Sequence, residues 1–301
     1  MRTATKPRHS TTLAYIDRVN RAIDYVMPRL DRPLRLTAVA RAACLSPFHF
    51  HRVFQIIMGE TLADFVKRQR LDHALKLMAR EKPPSLTRVA LACGFTSSSD
   101  FSRSFKQRFG IAPRAFDLDA WRDRHRSKLE ASMPRATRLP PRANPDRFSV
   151  RIRELPARTV AYIRVNNPYK GDAPVRAVER LMAWAEPRGF SGNQWLGYQW
   201  ENPELVPLEH CRYHAAVEAS NFTPSGEIGR YRFPAMLVAQ VEVKGDIHLE
   251  LRALQWLYGS WLPRSGYVPA DQPAFEAWIG KPFAHGYERF ELHAQLPIKR
   301  A

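Results

Sequence analysis

The sequence predicts a two-domain protein, all-α in its N-terminal domain and α+β in its C-terminal domain. Three observations carry that prediction. Apolar residues recur at helical spacing up to about residue 120 and at strand spacing after residue 148. Charge divides in the same way: residues 1–145 hold 28 Lys+Arg against 12 Asp+Glu, a net +16, whereas residues 146–301 hold 19 against 17, a net +2. Each half also repeats itself internally, at offsets of about 50 and about 77 residues. The expected boundaries are 12–118 for the helical domain, 119–147 for a basic, Pro-rich linker and 148–301 for the α+β domain.

Composition narrows the classes. With 301 residues, 45% hydrophobic and 11% aromatic, the chain has enough apolar mass for two cores and is not of disordered composition. No apolar run reaches the ~18 residues of a membrane span, and the N-terminus lacks the apolar core of a secretion signal. Cys44, Cys93 and Cys211 form neither a paired framework nor a metal-ligand spacing. Reduced thiols in a cytoplasmic protein, with no metal and no cofactor, are the expectation.

In order along the chain, Thr12 offers an N-cap to a first helix whose apolar face is Leu13, Ile16, Val19, Ile23 and Val26, ended at Pro28. The run Leu36 to Ala43 follows, then Cys44-Leu45-Ser46, then PFHFHRVFQIIMG. The stretch Ser85 to Asp117 has the same design. Leu86, Val89, Ala90 and Cys93 make a short helical face, and Gly94-Phe95-Thr96 breaks it. The hydroxyls of Ser97-Ser98-Ser99 can cap a second helix in which Phe101, Phe105 and Phe109 bury one side. Val39-Ala40 matches Val89-Ala90, Leu45-Ser46 matches Phe95-Thr96, and Phe50, Arg52 and Phe54 match Phe101, Arg103 and Phe105. Two short helices joined by a tight turn, the second polar and basic on its free side, form a helix-turn-helix. The chain therefore carries two. Between them, Thr61 to Arg80 reads as a helix of about 30 Å, a spacer that sets two recognition helices one DNA turn, about 34 Å, apart.

These motifs resemble the DNA-binding domain of the AraC/XylS family of transcription regulators: Gly-Phe at 94–95, Phe-x-Arg-x-Phe-Lys at 101–106, Gly110 and Pro113-Arg114. The resemblance covers residues 12–118 and implies double-stranded DNA as partner, with RNA polymerase as a further candidate. It places base-facing positions at Phe48, His49, His51 and Arg52, and at Ser98, Ser99, Asp100 and Arg103. Chemistry leaves two roles open for most of them. Arg52 and Arg103 can each grip a guanine bidentately or clamp a phosphate. Ser98 and Ser99 can read or cap, and Asp100 can accept from cytosine or cap the helix. Phe48 can touch a thymine methyl or pack. His49 and His51 can donate or accept. The linker can touch DNA backbone or serve as a solvated tether.

After residue 148, Phe148-Ser-Val-Arg-Ile alternates and Thr159 to Val165 is β-rich. Pro174 to Ala185 reads as a helix, and Trp195 to Trp200 and Tyr213 to Val217 as strands. LPARTVAYIRV at 155–165 resembles FPAMLVAQVEV at 233–243, and 177–190 resembles 253–267. A duplicated β-β-α-β unit with pseudo-twofold symmetry and a groove between its halves follows. This arrangement, with a helix ending in Trp and the segment Pro273-Ala-Phe-Glu-Ala-Trp278 before a closing strand, resembles the GyrI-like, effector-binding domain. The resemblance implies a small-molecule effector, with Glu276 at the bottom of an aromatic pocket. Trp278 stands where Tyr is common in the family, and His214 where an acid is common. Trp195, Tyr198, Trp200 and Tyr213 are candidate lining residues beside Phe275 and Trp278. An acid among aromatic faces suits a cationic or amphipathic ligand. The alternative is ordinary aromatic core with a surface Glu276.

Three functions remain in view. A DNA-binding regulator with a small-molecule sensor comes first. The resemblance also admits hydrolysis, with Glu276 and Tyr213 acting on water. No nucleophile–base pair or metal cluster stands at diagnostic spacing, so the chain is expected not to be an enzyme. A C-terminal module that binds protein instead of ligand is the third reading.

Overall fold

The computed structural model describes residues 8–79, 83–132, 144–286 and 288–300. They form two compact units: one runs to Asp123 and includes Pro224–Gly229, and the other comprises Arg124–Thr223 and Arg230 onward.

The first unit is helical. Helix α1, Arg8–Val26, starts four residues before the expected Thr12 cap and buries Val19, Ala22, Ile23 and Val26. A 3₁₀ turn holding Pro28 ends it. Helices α2, Leu36–Ala42, and α3, Pro47–Met58, form the first helix-turn-helix. Ser46 caps α3 by accepting from the His49 amide, and Gly59 closes it in the left-handed region at φ 72°. Helix α4, Leu62–Met78, is capped by Thr61. Its 17 residues span about 25 Å, less than the expected spacer length. Helices α5, Leu86–Ala92, and α6, Ser98–Phe109, form the second helix-turn-helix.

The caps refine the internal repeat. Ser97 caps α6 as Ser46 caps α3, an offset of 51, while the preceding helices match at an offset of 50. Thr96 is the extra residue, and its hydroxyl donates to Asp100 at 3.1 Å. Phe50, Phe54 and Phe65 fill the first core, and Phe95, Phe101 and Phe105 fill the second. Helix α4 joins these cores through a charged seam. Arg68 pairs with Glu60 at 2.5 Å and with Asp72 at 3.7 Å, and Arg108 of α6 reaches Asp72 at 3.4 Å. Arg70 donates to the carbonyls of Leu30 and Arg32, both at 2.9 Å. Gly94 lies on the same spot. Its φ is 78°, and any Cβ there would overlap the Leu30 carbonyl oxygen. The second turn is thus held against the loop between α1 and α2.

The expected linker requires a correction. Helix α7, Leu118–Ser132, occupies its first half, because Asp117 accepts from the Ala120 amide and no proline intervenes before Pro134. Trp121 of α7 packs edge-on against Phe109 at 5.2 Å. Residues 133–143, with most of the prolines, lie outside the described residues.

The second unit is an antiparallel sheet with two helices. Its strands are β1 Arg151–Leu155, β2 Arg158–Asn166, β3 Trp195–Gln199, β4 Arg212–Glu218 and β5 Ile228–Phe233, then β6 Met236–Gly245, β7 Tyr267–Pro269, β8 Ala274–Trp278 and β9 Phe290–Arg300. They pair in the order β1-β6-β9-β8-β3-β4-β2-β5, with β7 also on β9. Helix α8, Ala173–Ala185, packs on β2 and β4. Helix α9, Ile247–Trp256, packs on β6 and β9 and continues as a π turn, Leu257–Trp261. The core strands β3 and β8 lie at the centre, which places Glu276 in the middle of the sheet.

Candidate functional sites

In the helical unit the exposed side of α3 is set by what its opposite side buries, Phe50, Val53 and Phe54. Phe48 is 75% exposed, and His49, His51 and Arg52 are exposed with it. The Arg52 guanidinium lies 5.9 Å over the Phe48 ring. His49 is tethered to α1, where Tyr15 Oη lies 3.2 Å from its Nε2. The same side carries two residues the sequence reading passed over, Gln55 and Ile56, the latter 80% exposed.

On α6, Ser99 and Arg103 are exposed, whereas Ser98 and Asp100 are partly buried. Asp100 is engaged locally. Its amide donates to Ser97 Oγ at 3.1 Å and its carboxylate accepts from Thr96, at the helix N-terminus where negative charge is favoured. Neither Arg52 nor Arg103 is in a salt bridge among the described residues.

In the sheet unit, strand register sorts the expected lining residues. Gly197 pairs with Ala215 of β4 and with Glu276 of β8, and Gln199 pairs with Tyr213. Side chains alternate across a strand, so Trp195, Tyr213, Glu276 and Trp278 share one face. Tyr198 does not. It sits on the opposite face, 2% exposed, in a cluster with Val160, Tyr162, Leu196, Phe233 and Phe275. Trp200 packs against that cluster, and His214 stacks on Tyr198 at 4.6 Å. Arg164 Nε lies 3.0 Å from His214 Nε2. Burial, then Arg164 and Arg212, push the His214 pKa well down, so the ring is neutral. Tyr198, Phe275, Trp200 and His214 therefore drop out of the Glu276 site.

On the Glu276 face, Tyr213 Oη donates to Glu276 Oε2 at 2.6 Å. Gly197 lies beneath this bond, and a Cβ there would overlap both the phenol oxygen and the carboxylate. Trp195 is held by donation from its Nε1 to the Ser191 carbonyl at 3.0 Å, and Gln194 donates to the Trp278 carbonyl at 2.7 Å. Burial pushes the Glu276 pKa up to about 7, tempered by the Tyr213 hydroxyl and the Trp278 indole. Burial and the neighbouring Glu276 push the Tyr213 pKa well up.

Sequence reasoning missed three participants. Gly197 is silent in sequence and acts through the side chain it lacks. Tyr169, after β2, hydrogen-bonds Gln199 at 3.3 Å and feels the Glu276 charge. Glu250 of α9 is 3% exposed, and its Oε2 has no hydrogen-bond partner among the described residues. Its pKa is driven well up by burial and by Glu276. Only the helix packing on β6 and β9 brings it near, so no local pattern announces it.

Two short helix-turn-helix units followed by an α+β sheet with a buried acid define a two-part, ligand-binding, helix-turn-helix class of protein. Comparison with known families agrees. The helix-turn-helix domain family matches residues 39–118, and the family described as a GyrI-like small molecule binding domain matches residues 148–299. The chain belongs to the AraC-type regulators that carry a GyrI-like domain. It is 32% identical over 105 residues to the probable transcriptional regulator LumQ of Photobacterium leiognathi, covering 34% of this chain and 42% of LumQ. It is 31% identical over 163 residues to the DNA gyrase inhibitor of Edwardsiella piscicida, covering 51% of this chain and 100% of that protein. Among solved structures, the DNA-binding domain of AdpA in complex with a target DNA matches at 24% identity and a TM-score of 0.32, over 35% of this chain and 94% of that one. The chain spans less than half the length of LumQ and 30% of GlxA from Rhizobium meliloti. No helix among the described residues is long and apolar enough to cross a membrane.

Proposed function

We propose that this protein is a sequence-specific, DNA-binding transcription regulator whose C-terminal domain senses a cationic or amphipathic small molecule. The observation that carries the sensing role is the Tyr213–Glu276 pair seated over Gly197, on the sheet face that Trp195 and Trp278 share. A buried carboxylate is costly unless its charge is met, and aromatic faces add about 0.5–2 kcal/mol each for a desolvated cation.

On the DNA side, the reading helices are α3 and α6. Arg52 and Arg103 supply the principal base contacts, Phe48, His49, His51, Ser98 and Ser99 supplement them, and Asp100 mainly caps. The +16 excess of residues 1–145 supplies sequence-independent attraction to phosphates. The domains run 12–118 and 148–301, joined through a segment that begins as helix α7. The protein works in the cytoplasm, as a regulator and not as an enzyme, and RNA polymerase is a further partner.

The effector domain is read as a duplicated unit. In support, the strand order is unchanged when β1, β2, β3 and β4 are exchanged with β5, β6, β8 and β9. Gly197 and Glu276 then occupy equivalent places beside the pseudo-twofold axis, one empty and one acidic.

Coupling requires that the effector prefer one of two arrangements of the chain. A thermal-shift titration of the full chain with tetraphenylphosphonium, a lipophilic cation, tests the sensing role. At 100 times Kd the stability gain is about 2.7 kcal/mol, and it disappears in Glu276→Gln. Equal gains in both proteins would remove Glu276 from the site.

A further inference from the structure

The two most exposed large apolar side chains among the described residues are Ile56, 80% exposed, and Phe48, 75% exposed. Both stand on α3, on either side of Arg52, at steps of four residues. Each step advances about 6 Å along the helix and turns about 40° around it, so the three form one stripe. The core takes their neighbours instead: Phe50, Val53 and Phe54 fill it, and Ile57 and Met58 pack against it. Helix formation does not ask for Ile56, since Lys, Gln or Glu suits an exposed helical position better than a β-branched residue. Lone exposed apolar residues are ordinary on a surface, but two of this size bracketing one arginine fit a partner with apolar groups on both sides of its polar one. The matching stripe of the second helix-turn-helix differs. At the offset of 51 residues, Phe48, Arg52 and Ile56 correspond to Ser99, Arg103 and Gln107, all exposed. The arginine is kept while both apolar flanks become polar. In the major groove the apolar group on a base edge is the C5-methyl of thymine, whereas guanine, the bidentate partner of arginine, presents two acceptors.

We propose that Ile56 reads the C5-methyl group of a pyrimidine about two base pairs from the guanine that Arg52 grips. This rests on α3 as a reading helix and adds a residue, a chemical class and a spacing. The spacing follows from about 6 Å of helix between Arg52 and Ile56 against about 3.4 Å of rise per base pair. Ile56 lies in the last turn of α3, so the helix runs along the groove rather than end-on into it. Thymine supplies the methyl in unmodified DNA, and 5-methylcytosine supplies the same group in methylated DNA. On α6 the place of Ile56 is taken by Gln107, which has no apolar surface to offer a methyl. The two half-sites are thereby told apart, because the one under α3 depends on the methyl and the one under α6 does not.

Fluorescence anisotropy of the full chain on a duplex selected from random sequence tests this. Arg52→Ala first locates the guanine, as the base pair whose preference it relaxes. Deoxyuridine, which differs from thymine by the missing methyl alone, then replaces each thymine singly. About two base pairs from the guanine, the wild type loses about fourfold in affinity, the factor that burial of one methyl group supplies. Ile56→Ala loses at least as much on the parent duplex and nothing further with deoxyuridine. Cytosine placed there binds about fourfold tighter when 5-methylated, in the wild type and not in the variant. Deoxyuridine under α6 affects both proteins equally. Alanine is the strongest helix former and the position is exposed, so the variant keeps its fold, as thermal unfolding checks. Equal deoxyuridine losses in the two proteins, or no methyl-bearing pyrimidine within about three base pairs of the guanine, overturn the proposal. Arg52→Ala with unchanged affinity and unchanged preference instead overturns α3 as a reading helix, a separate failure.

Discussion

Replacing Gly197 with alanine puts a methyl group where the Tyr213 phenol oxygen and the Glu276 carboxylate now meet. Alanine within a strand is ordinarily stabilising over glycine by about 0.5–1 kcal/mol. Here the sign reverses, because the methyl separates a hydrogen bond to a charged acceptor, an interaction of about 1.5–3 kcal/mol. Loss of that bond disfavours the ionised carboxylate by a similar amount. Cation affinity then falls by about 10- to 150-fold at neutral pH. The control is Gly192→Ala, where nothing lies within 4 Å and the backbone carries no positive φ. Titration calorimetry with tetraphenylphosphonium, beside thermal unfolding of each variant, separates lost binding from lost fold. A folded Gly197→Ala protein that binds within twofold of the wild type would refute the placement of the site.

Other perturbations follow from the same geometry. Arg103→Ala weakens binding to a selected duplex by about 1–3 kcal/mol and relaxes preference at one base pair, measured by fluorescence anisotropy across a panel of single-base variants. Unchanged affinity with unchanged preference would show α6 to be misassigned. Gly94→Ala loses about 1–2 kcal/mol from its left-handed backbone alone, and more from overlap with the Leu30 carbonyl. Denaturant unfolding should register the full cost, and affinity for a two-half-site duplex should fall with it. Glu276 carries a folded pKa raised above its unfolded value, so its contribution to stability is present at low pH and is lost as pH rises through about 7. Glu276→Gln removes that loss. The variant should therefore match the wild type near pH 4 and exceed it at pH 8, as followed by thermal unfolding across that range.

Much of the helical unit was legible because its signals are local and repeated. Ser46, Ser97, Gly59 and Gly110 punctuate two helices whose aromatic faces share one spacing. The one-residue slip between the repeats shows in the paired positions, but its place at Thr96 was not legible, since Thr96 and Ser97 are equally good capping residues on paper and only the hydrogen bonds distinguish them. The arginine- and proline-rich composition around the junction concealed α7, although the first proline follows only at Pro134. In the sheet, Glu276, Tyr213, Trp195 and Trp278 were singled out from residue type and resemblance, and the strand register puts them on one face. Tyr198 was misplaced because it lies three positions along the strand from Trp195, an odd step that sends the two side chains to opposite faces. Glu250 and Tyr169 join the site only through the packing of α9 and the loop after β2. Gly197 could be read only once its neighbours were in place.

The central claim is that occupancy of the Glu276 site changes how the chain engages DNA. Its most direct test is the affinity of the full chain for a duplex selected from random sequence, measured by anisotropy with and without saturating tetraphenylphosphonium, for wild type and Glu276→Gln. The account predicts a shift of about 5- to 150-fold in the wild type, the range of typical coupling energies, and none in the variant. Wild-type DNA affinity that ignores bound cation, or an equal shift in Glu276→Gln, would contradict it.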